Sequence, residues 1–151
     1  MFIQRGLATT NGQRPDYPPS DEFVMPWWHD KEYGEARSCE RMSAVTGAVE
    51  VARFMLEPRQ IISPRFGLGT PPPLGFLEVV FLEVAASSRR AKIGTRIVAE
   101  IERSHKGRQL MAVSQDSESD RFWATLGWQR HEHSVLAGTR ALYVAQINDA
   151  S

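Results

Sequence analysis

Apolar residues run almost unbroken from Phe76 to Ala86, with Val and Phe prominent among them. Such a run suits a strand buried on both faces. Glu78 and Glu83 interrupt it an odd number of positions apart, so they point to opposite faces. A carboxylate there is costly unless a cation or solvent satisfies it. After Ser87-Ser88 the period changes. Ile93, Ile97 and Ile101 recur every fourth residue, with Ala91 and Val98 beside them. This predicts an amphipathic helix with either serine as N-cap and Gly107 as its stop. Arg108 to Ser114 then reads as a short buried strand, so strand, helix and strand give a right-handed crossover and a parallel pair.

Outside this unit the pattern is less regular. Phe2-Ile3 begins a short first strand, and Asn11-Gly12, Pro15 and Pro18-Pro19 make residues 1–20 irregular. Asp21 to Ala44 is expected to be helical in part, with Ser20 or Asp21 as cap. Thr46 to Leu56 alternates as a strand. Gln60 to Phe66 returns as its partner, demoted to an edge by Pro64. Ser117 to Gly127 reads as a second helix capped by Ser117, with Phe122, Trp123 and Leu126 inward. Trp128 to Ile147 reads as a hairpin turning at Ala137-Gly138-Thr139.

Charge adds one anomaly. The expected start of the first helix carries Arg89, Arg90, Lys92 and Arg96, with no acid before Glu100. Cations at the positive end of a helix dipole are misplaced for an isolated helix. They suit a bound anion held by free backbone N–H groups, or else form a solvated basic surface turn.

The residues Arg89-Arg90-Ala91-Lys92-Ile93-Gly94 resemble the acyl-CoA pyrophosphate motif of the GNAT N-acetyltransferase superfamily, Gln/Arg-x-x-Gly-x-Gly/Ala. Arg89 and Gly94 fit, while Lys92 stands where the family has its first Gly. The preceding Phe76-Leu77-Glu78-Val79-Val80-Phe81 is similar to the Phe-x-Glu-Ile/Val-Val-Phe strand of the histone-acetyltransferase branch, where the Glu is the general base. Downstream, Asp120 to Trp128 resembles the family's Phe-Tyr-x-x-Leu-Gly-Phe helix end, with Trp123 in place of the Tyr that protonates the leaving thiolate. Two linked motifs at the right separation are more specific than either alone.

The resemblance implies one α/β (α+β) domain over residues 1–151: a mixed, mostly antiparallel sheet with a central splayed parallel pair flanked by helices. It implies an acetyl-CoA-dependent N-acetyltransferase acting on a primary amine by direct attack, with acetyl-CoA (an acyl-CoA co-substrate) and no metal. Glu78 would be the general base, its pKa raised by the apolar strand. Val84, Ala85 and Ala86 would offer backbone N–H groups to the cofactor amides and the developing oxyanion. Arg89, Arg90, Ala91, Lys92, Ile93, Gly94 and Thr95 would hold the pyrophosphate. Asp116 stands where an Asn contacts the cofactor, and Trp123 lies beside it. Trp27, Trp28 and Tyr33 would line an acceptor pocket, or simply fill the core. Tyr143 is an alternative acid.

Composition narrows the partners. At 151 residues, with 18 basic and 18 acidic side chains, the chain is neutral overall, so no nucleic-acid footprint is expected. Cys39 is the single cysteine and gives no zinc pattern; His131 and His133 form only a partial metal pair. No segment reads as a signal peptide or membrane span, so a cytoplasmic location without membrane partners is expected. The acceptor is a small-molecule or protein amine, and a homodimer is a further expectation from the family. The alternative is a catalytically silent acyl-CoA-binding sensor or interaction protein.

Overall fold

The computed structural model describes residues 3–6 (backbone only), 17–28, 39–59, 62, 64–69, 72–134 and 140–146. Seven strands and two α-helices lie within these: β1 (Ile3–Gly6), β2 (Glu40–Thr46), β3 (Val49–Arg59), β4 (Phe76–Val84), α1 (Ile93–Ser104), β5 (Gln109–Val113), α2 (Ser117–Thr125), β6 (Gln129–His131) and β7 (Leu142–Val144). The chain divides into two compact units, residues 1–57 with 80–103, and residues 58–79 with 104–151. Strands β3 and β4 contribute to both.

In the first unit the strands run in the order β1-β2-β3-β4. The β2–β3 hairpin turns through Gly47, whose φ of 61° supplies the left-handed residue that a two-residue turn requires. Residues 40–44, expected to belong to a partly helical stretch, lie in strand β2, which has five consecutive buried positions. Pairing on both sides there outweighs the weak helical period. The only helical turn described in residues 21–44 is the 3-10 turn Pro26–Trp28; residues 29–38 lie outside the described set. Tyr17, Phe23, Trp28, Met55, Val80 and Ala85 form this unit's core.

Tyr17 and Arg53 bring buried polar groups into it. The Tyr17 hydroxyl lies 2.9 Å from the carbonyls of both Met42 and Phe54 and accepts the Met42 N–H. Burial pushes this phenol well above its ordinary range. The Arg53 guanidinium packs over the Tyr17 and Phe23 rings, pairs with Glu50 at 2.9 Å and donates to the Pro18 carbonyl at 2.6 Å.

In the second unit the order is β4-β5-β7-β6, with β4 and β5 parallel and the other pairs antiparallel. The parallel register covers three positions only, Phe76↔Gln109, Leu77↔Leu110 and Glu78↔Met111, although β4 continues to Val84 and β5 to Val113. That short pairing is the splay expected of the fold. Phe76, Met111, Leu142 and Val144 form the core on one sheet face, with Ile62, Phe66 and Leu68 packed against them. The expected strand over Gln60 to Phe66 is instead a 3-10 turn, Pro64–Phe66, in its described part, because Pro64 cannot donate to a ladder. The closing hairpin pairs antiparallel as expected, but its strands are shorter in the described residues: β6 ends at His131 and β7 spans Leu142–Val144.

Tyr17 ties β2 to β3 at the centre of the first core. Tyr17→Phe leaves buried backbone groups short of a partner and should cost about 1–3 kcal/mol, read as a lower urea midpoint with an unchanged slope.

Candidate functional site

The end of β4 and the turn that follows lie wholly in the first unit. Helix α1 begins at Ile93, not after Ser87-Ser88 as expected; those serines close a short 3-10 turn, Ala86–Ser88. The cause is visible in the backbone. Arg90 and Lys92 have φ of 75° and 55°, the left-handed region that favours glycine, and a helix cannot run through them. Lys92 thus takes the conformation that the motif's glycine would supply. The first helical bond runs from the Arg96 N–H to the Lys92 carbonyl at 3.1 Å. The N–H groups of Ile93, Gly94 and Thr95 therefore precede any intrahelical partner. The first turn holds no acid, and Arg89, Arg90, Ala91, Lys92, Thr95 and Arg96 are all exposed. Ile93, Ile97, Val98 and Ile101 form the buried stripe that anchors the helix.

The donors just before this loop are arranged differently from expectation. The Ala85 N–H donates to the Val51 carbonyl at 2.8 Å, and the Ala86 N–H to the Glu22 carbonyl at 3.0 Å. The Ser87 N–H donates to the Glu22 carboxylate at 2.7 Å. Ala85 and Ala86 are thus already engaged. Of the three N–H groups expected for the cofactor, Val84 is the remaining candidate donor. Of the expected acceptor-pocket aromatics, Trp28 is a buried core residue and Trp27 stacks on Phe81 at 4.6 Å; Tyr33 lies outside the described residues.

Glu78 belongs to the second unit and is only 4% exposed. Its surroundings are not the purely apolar ones expected. Arg59, at the end of β3, donates from Nε to Glu78 Oε1 at 2.8 Å. A guanidinium at that distance favours the carboxylate form, opposing the effect of burial.

Asp116 and Trp123 do not join Glu78. Asp116, rather than Ser117, is the N-cap of α2, accepting the Ser119 N–H at 2.8 Å. That bond holds its carboxyl below the usual carboxylate range. Trp123 is buried, stacked on Trp128 at 4.7 Å and edge-on to Phe122. The sheet register separates these residues from Glu78. Glu78 is in register with Met111, whereas Tyr143 is in register with Ala112 and donates to Asp120 of α2 at 3.1 Å. Since faces alternate, α2 and Tyr143 lie on the sheet face opposite Glu78. Tyr143 also accepts from Arg130 Nη1 at 3.2 Å, so its hydroxyl serves the β7–α2 contact and not the Glu78 face.

The sequence reading missed Arg59 and Glu22. A buried Glu demands a cation, so an Arg ending the preceding strand was a usable signal for the first. Glu22 gives no signal, because its partners are backbone groups.

No family model and no curated protein matches this sequence. Solved structures do. A chain of the KacTA–DNA complex superposes with a TM-score of 0.65 at 10% identity, covering 96% of this chain and 92% of that one. The AtaT toxin, as a Tyr-to-Phe mutant bound to the C-terminus of the antitoxin AtaR and to acetyl-CoA, gives a TM-score of 0.64 at 10% identity over 95% and 92%. A protein from Desulfovibrio desulfuricans described as a GNAT-family acetyltransferase gives 0.51 at 15% identity over 75% and 70%. The chain has the GNAT acetyltransferase fold. The chain of the KacTA–DNA complex and the AtaT toxin superpose with higher TM-scores than the Desulfovibrio protein, and the histone-acetyltransferase branch suggested by the β4 strand finds no support. Among the described residues no helix is long and apolar enough to cross a membrane, and no three His, Cys, Asp or Glu side chains cluster as metal ligands.

The Asp116 cap is separable from any role in binding. Asp116→Ala should cost about 1 kcal/mol at pH 7. The carboxyl is depressed in the folded state, so its contribution is present above the unfolded carboxylate pKa and disappears as pH falls through the folded one. Wild type and variant should therefore converge in thermal scans on acidification below about pH 4.

Proposed function

We propose that the protein is an acetyl-CoA-dependent N-acetyltransferase that acylates a primary amine. The observation that carries this reading is the loop before α1. Two non-glycine residues are held left-handed there, four cations surround it, and three N–H groups at the helix start lack an intrahelical partner. Strain of this kind persists where the surroundings fix it and concentrates at functional sites. A diphosphate suits the loop in both charge and geometry. Arg89, Arg90 and Lys92, with the N–H groups of Ile93, Gly94 and Thr95, would hold it, and Gly94 leaves room for close approach.

When bound, acetyl-CoA supplies the acetyl group as a thioester. The chain must then make the amine nucleophilic. An alkyl ammonium has a pKa of about 10.4, so at neutral pH a base has to take its proton. Glu78 is that base in this reading, directly or through a water. Arg59, bonded to Glu78 Oε1 at 2.8 Å, would steady its orientation. Val84 is the candidate N–H donor for the developing oxyanion, given the bonds that Ala85 and Ala86 already make. Trp123 has no proton to give, so solvent protonates the leaving thiolate. Cys39, half-buried and 3.9 Å from a Glu57 carboxylate oxygen, is poorly placed to become a thiolate nucleophile, which favours direct attack.

The likeness to a chain of the KacTA–DNA complex and to AtaT over nearly the whole chain supports a partner protein of the antitoxin kind, with the acceptor amine still to be identified. A second reading, a silent acyl-CoA-binding protein, draws on the ion pair at Glu78 and the indole at position 123. Turnover decides between them. In a thiol-release assay with acetyl-CoA and a panel of amines, the unsubstituted protein should release CoA above the hydrolysis rate. Glu78→Gln should lower kcat at least 100-fold with CoA affinity within about threefold. Full activity in that variant removes Glu78 from the chemistry; binding without release from any amine in the unsubstituted protein favours the silent reading.

A further inference from the structure

Glu83 is a buried carboxylate that the proposed chemistry does not use. It lies near the end of β4, 5% exposed, and is bonded to Val24, Met25, Trp28 and Arg89, all in the first unit. Its Oε2 accepts the Val24 N–H at 2.9 Å. Its Oε1 accepts the Met25 N–H at 3.2 Å and the Trp28 indole N–H at 2.6 Å. Arg89 Nη2 stands 3.5 Å from the same Oε2, while Arg89 Nε donates to the Val84 carbonyl at 3.3 Å. Glu22 fastens the same stretch from its other end through Ala86 and Ser87. Residues 22–28 are thereby tied to residues 83–89, and Trp27, through its stack on Phe81, carries the contact onto the β4 face.

A negative charge beside a phosphate-binding loop weakens anion binding, so its presence there needs a reason. The hydrogen bonds supply one: without this carboxylate the Val24 and Met25 N–H groups and the Trp28 indole lose their acceptor. Arg89 is the element common to both tasks. Its side chain is about half exposed, and a pair so exposed is weak and easily exchanged. A diphosphate offers the same guanidinium a stronger, bidentate partner.

We propose that Glu83 is a positioning residue that couples occupancy of the phosphate loop to the order of the Val24–Trp28 segment, with Arg89 as the shared link. The inference rests on the acyl-CoA reading of that loop. As the diphosphate draws Arg89 away, the Glu83 charge is left to the Val24, Met25 and Trp28 donors alone, and those bonds tighten. Binding of the cofactor therefore orders the aromatic segment that flanks β4.

The test is a double-mutant cycle on CoA affinity by calorimetry, using Glu83→Gln and Arg89→Ala singly and together. Glu83→Gln keeps the shape, removes the competing charge and should tighten CoA binding threefold or more. In the Arg89→Ala background it should change affinity by less than a factor of two. A purely structural role for Glu83 would lower thermal stability and leave affinity equal, weaker, or changed alike in both backgrounds; any of these overturns the coupling. Hydrogen exchange on the unsubstituted protein gives a second measurement that needs no variant. Saturating CoA should slow exchange at Val24 and Met25 several-fold, and unchanged or faster exchange overturns the proposal. If the unsubstituted protein binds no CoA, the proposed function falls and this inference with it. CoA binding without Arg89-dependent coupling removes the inference alone.

Discussion

Left-handed backbone at Arg90 and Lys92 is the constraint on which the candidate site depends. An L-residue in that region costs about 1–2 kcal/mol, and two of them separated by a single residue stop any helix from forming across them. Helix α1 therefore starts at Ile93, its first N–H groups precede any helical bond, and the preceding cations surround that end. Had the helix begun at the serines, the free amides would have lain at its earlier start, and those of Ile93 to Thr95 would have been bonded within the helix. The break is held in place from both sides. The buried stripe Ile93, Ile97, Val98 and Ile101 anchors the helix, and the Ala86–Ser88 turn is bonded to Glu22.

The two acids of β4 illustrate how a buried carboxylate takes its character from its partners. Glu78 is bonded to the Arg59 guanidinium, which gives it a fixed direction. Glu83 meets three N–H donors from a separate stretch of chain and only a distant, half-exposed guanidinium. The first arrangement suits a base held ready, the second a fastening. Neither is disposable in stability terms, because removing the partners of a buried charge is strongly destabilising.

Much of the fold was legible because the apolar period is strong where β4, α1, β5 and α2 form; β4, β5 and α2 appear close to their expected limits, whereas α1 starts about a turn late. Strand β2 was not legible. Its run of buried residues includes Arg41 and Ser43, so alternation is blurred and the neighbouring aromatics suggested helix. The shape of the loop before α1 was not legible, since no propensity places Arg and Lys in a left-handed conformation. At Trp123 a motif position suggested a cofactor contact, and the structure shows a buried ring stacked on Trp128. Glu78 was found from the anomaly of an acid in an apolar strand. Its Arg59 partner lies nineteen positions away and depends on how β3 and β4 end.

Calorimetric titration with acetyl-CoA, comparing the unsubstituted protein with an Arg90→Gly, Lys92→Gly double variant, tests the central claim most directly. Glycine keeps the left-handed backbone and removes both charges, so the comparison isolates the electrostatic contribution. The account predicts micromolar binding that weakens about tenfold or more in the variant, with little loss of thermal stability. Absence of binding at millimolar acetyl-CoA, or equal affinity in the two proteins, would contradict it.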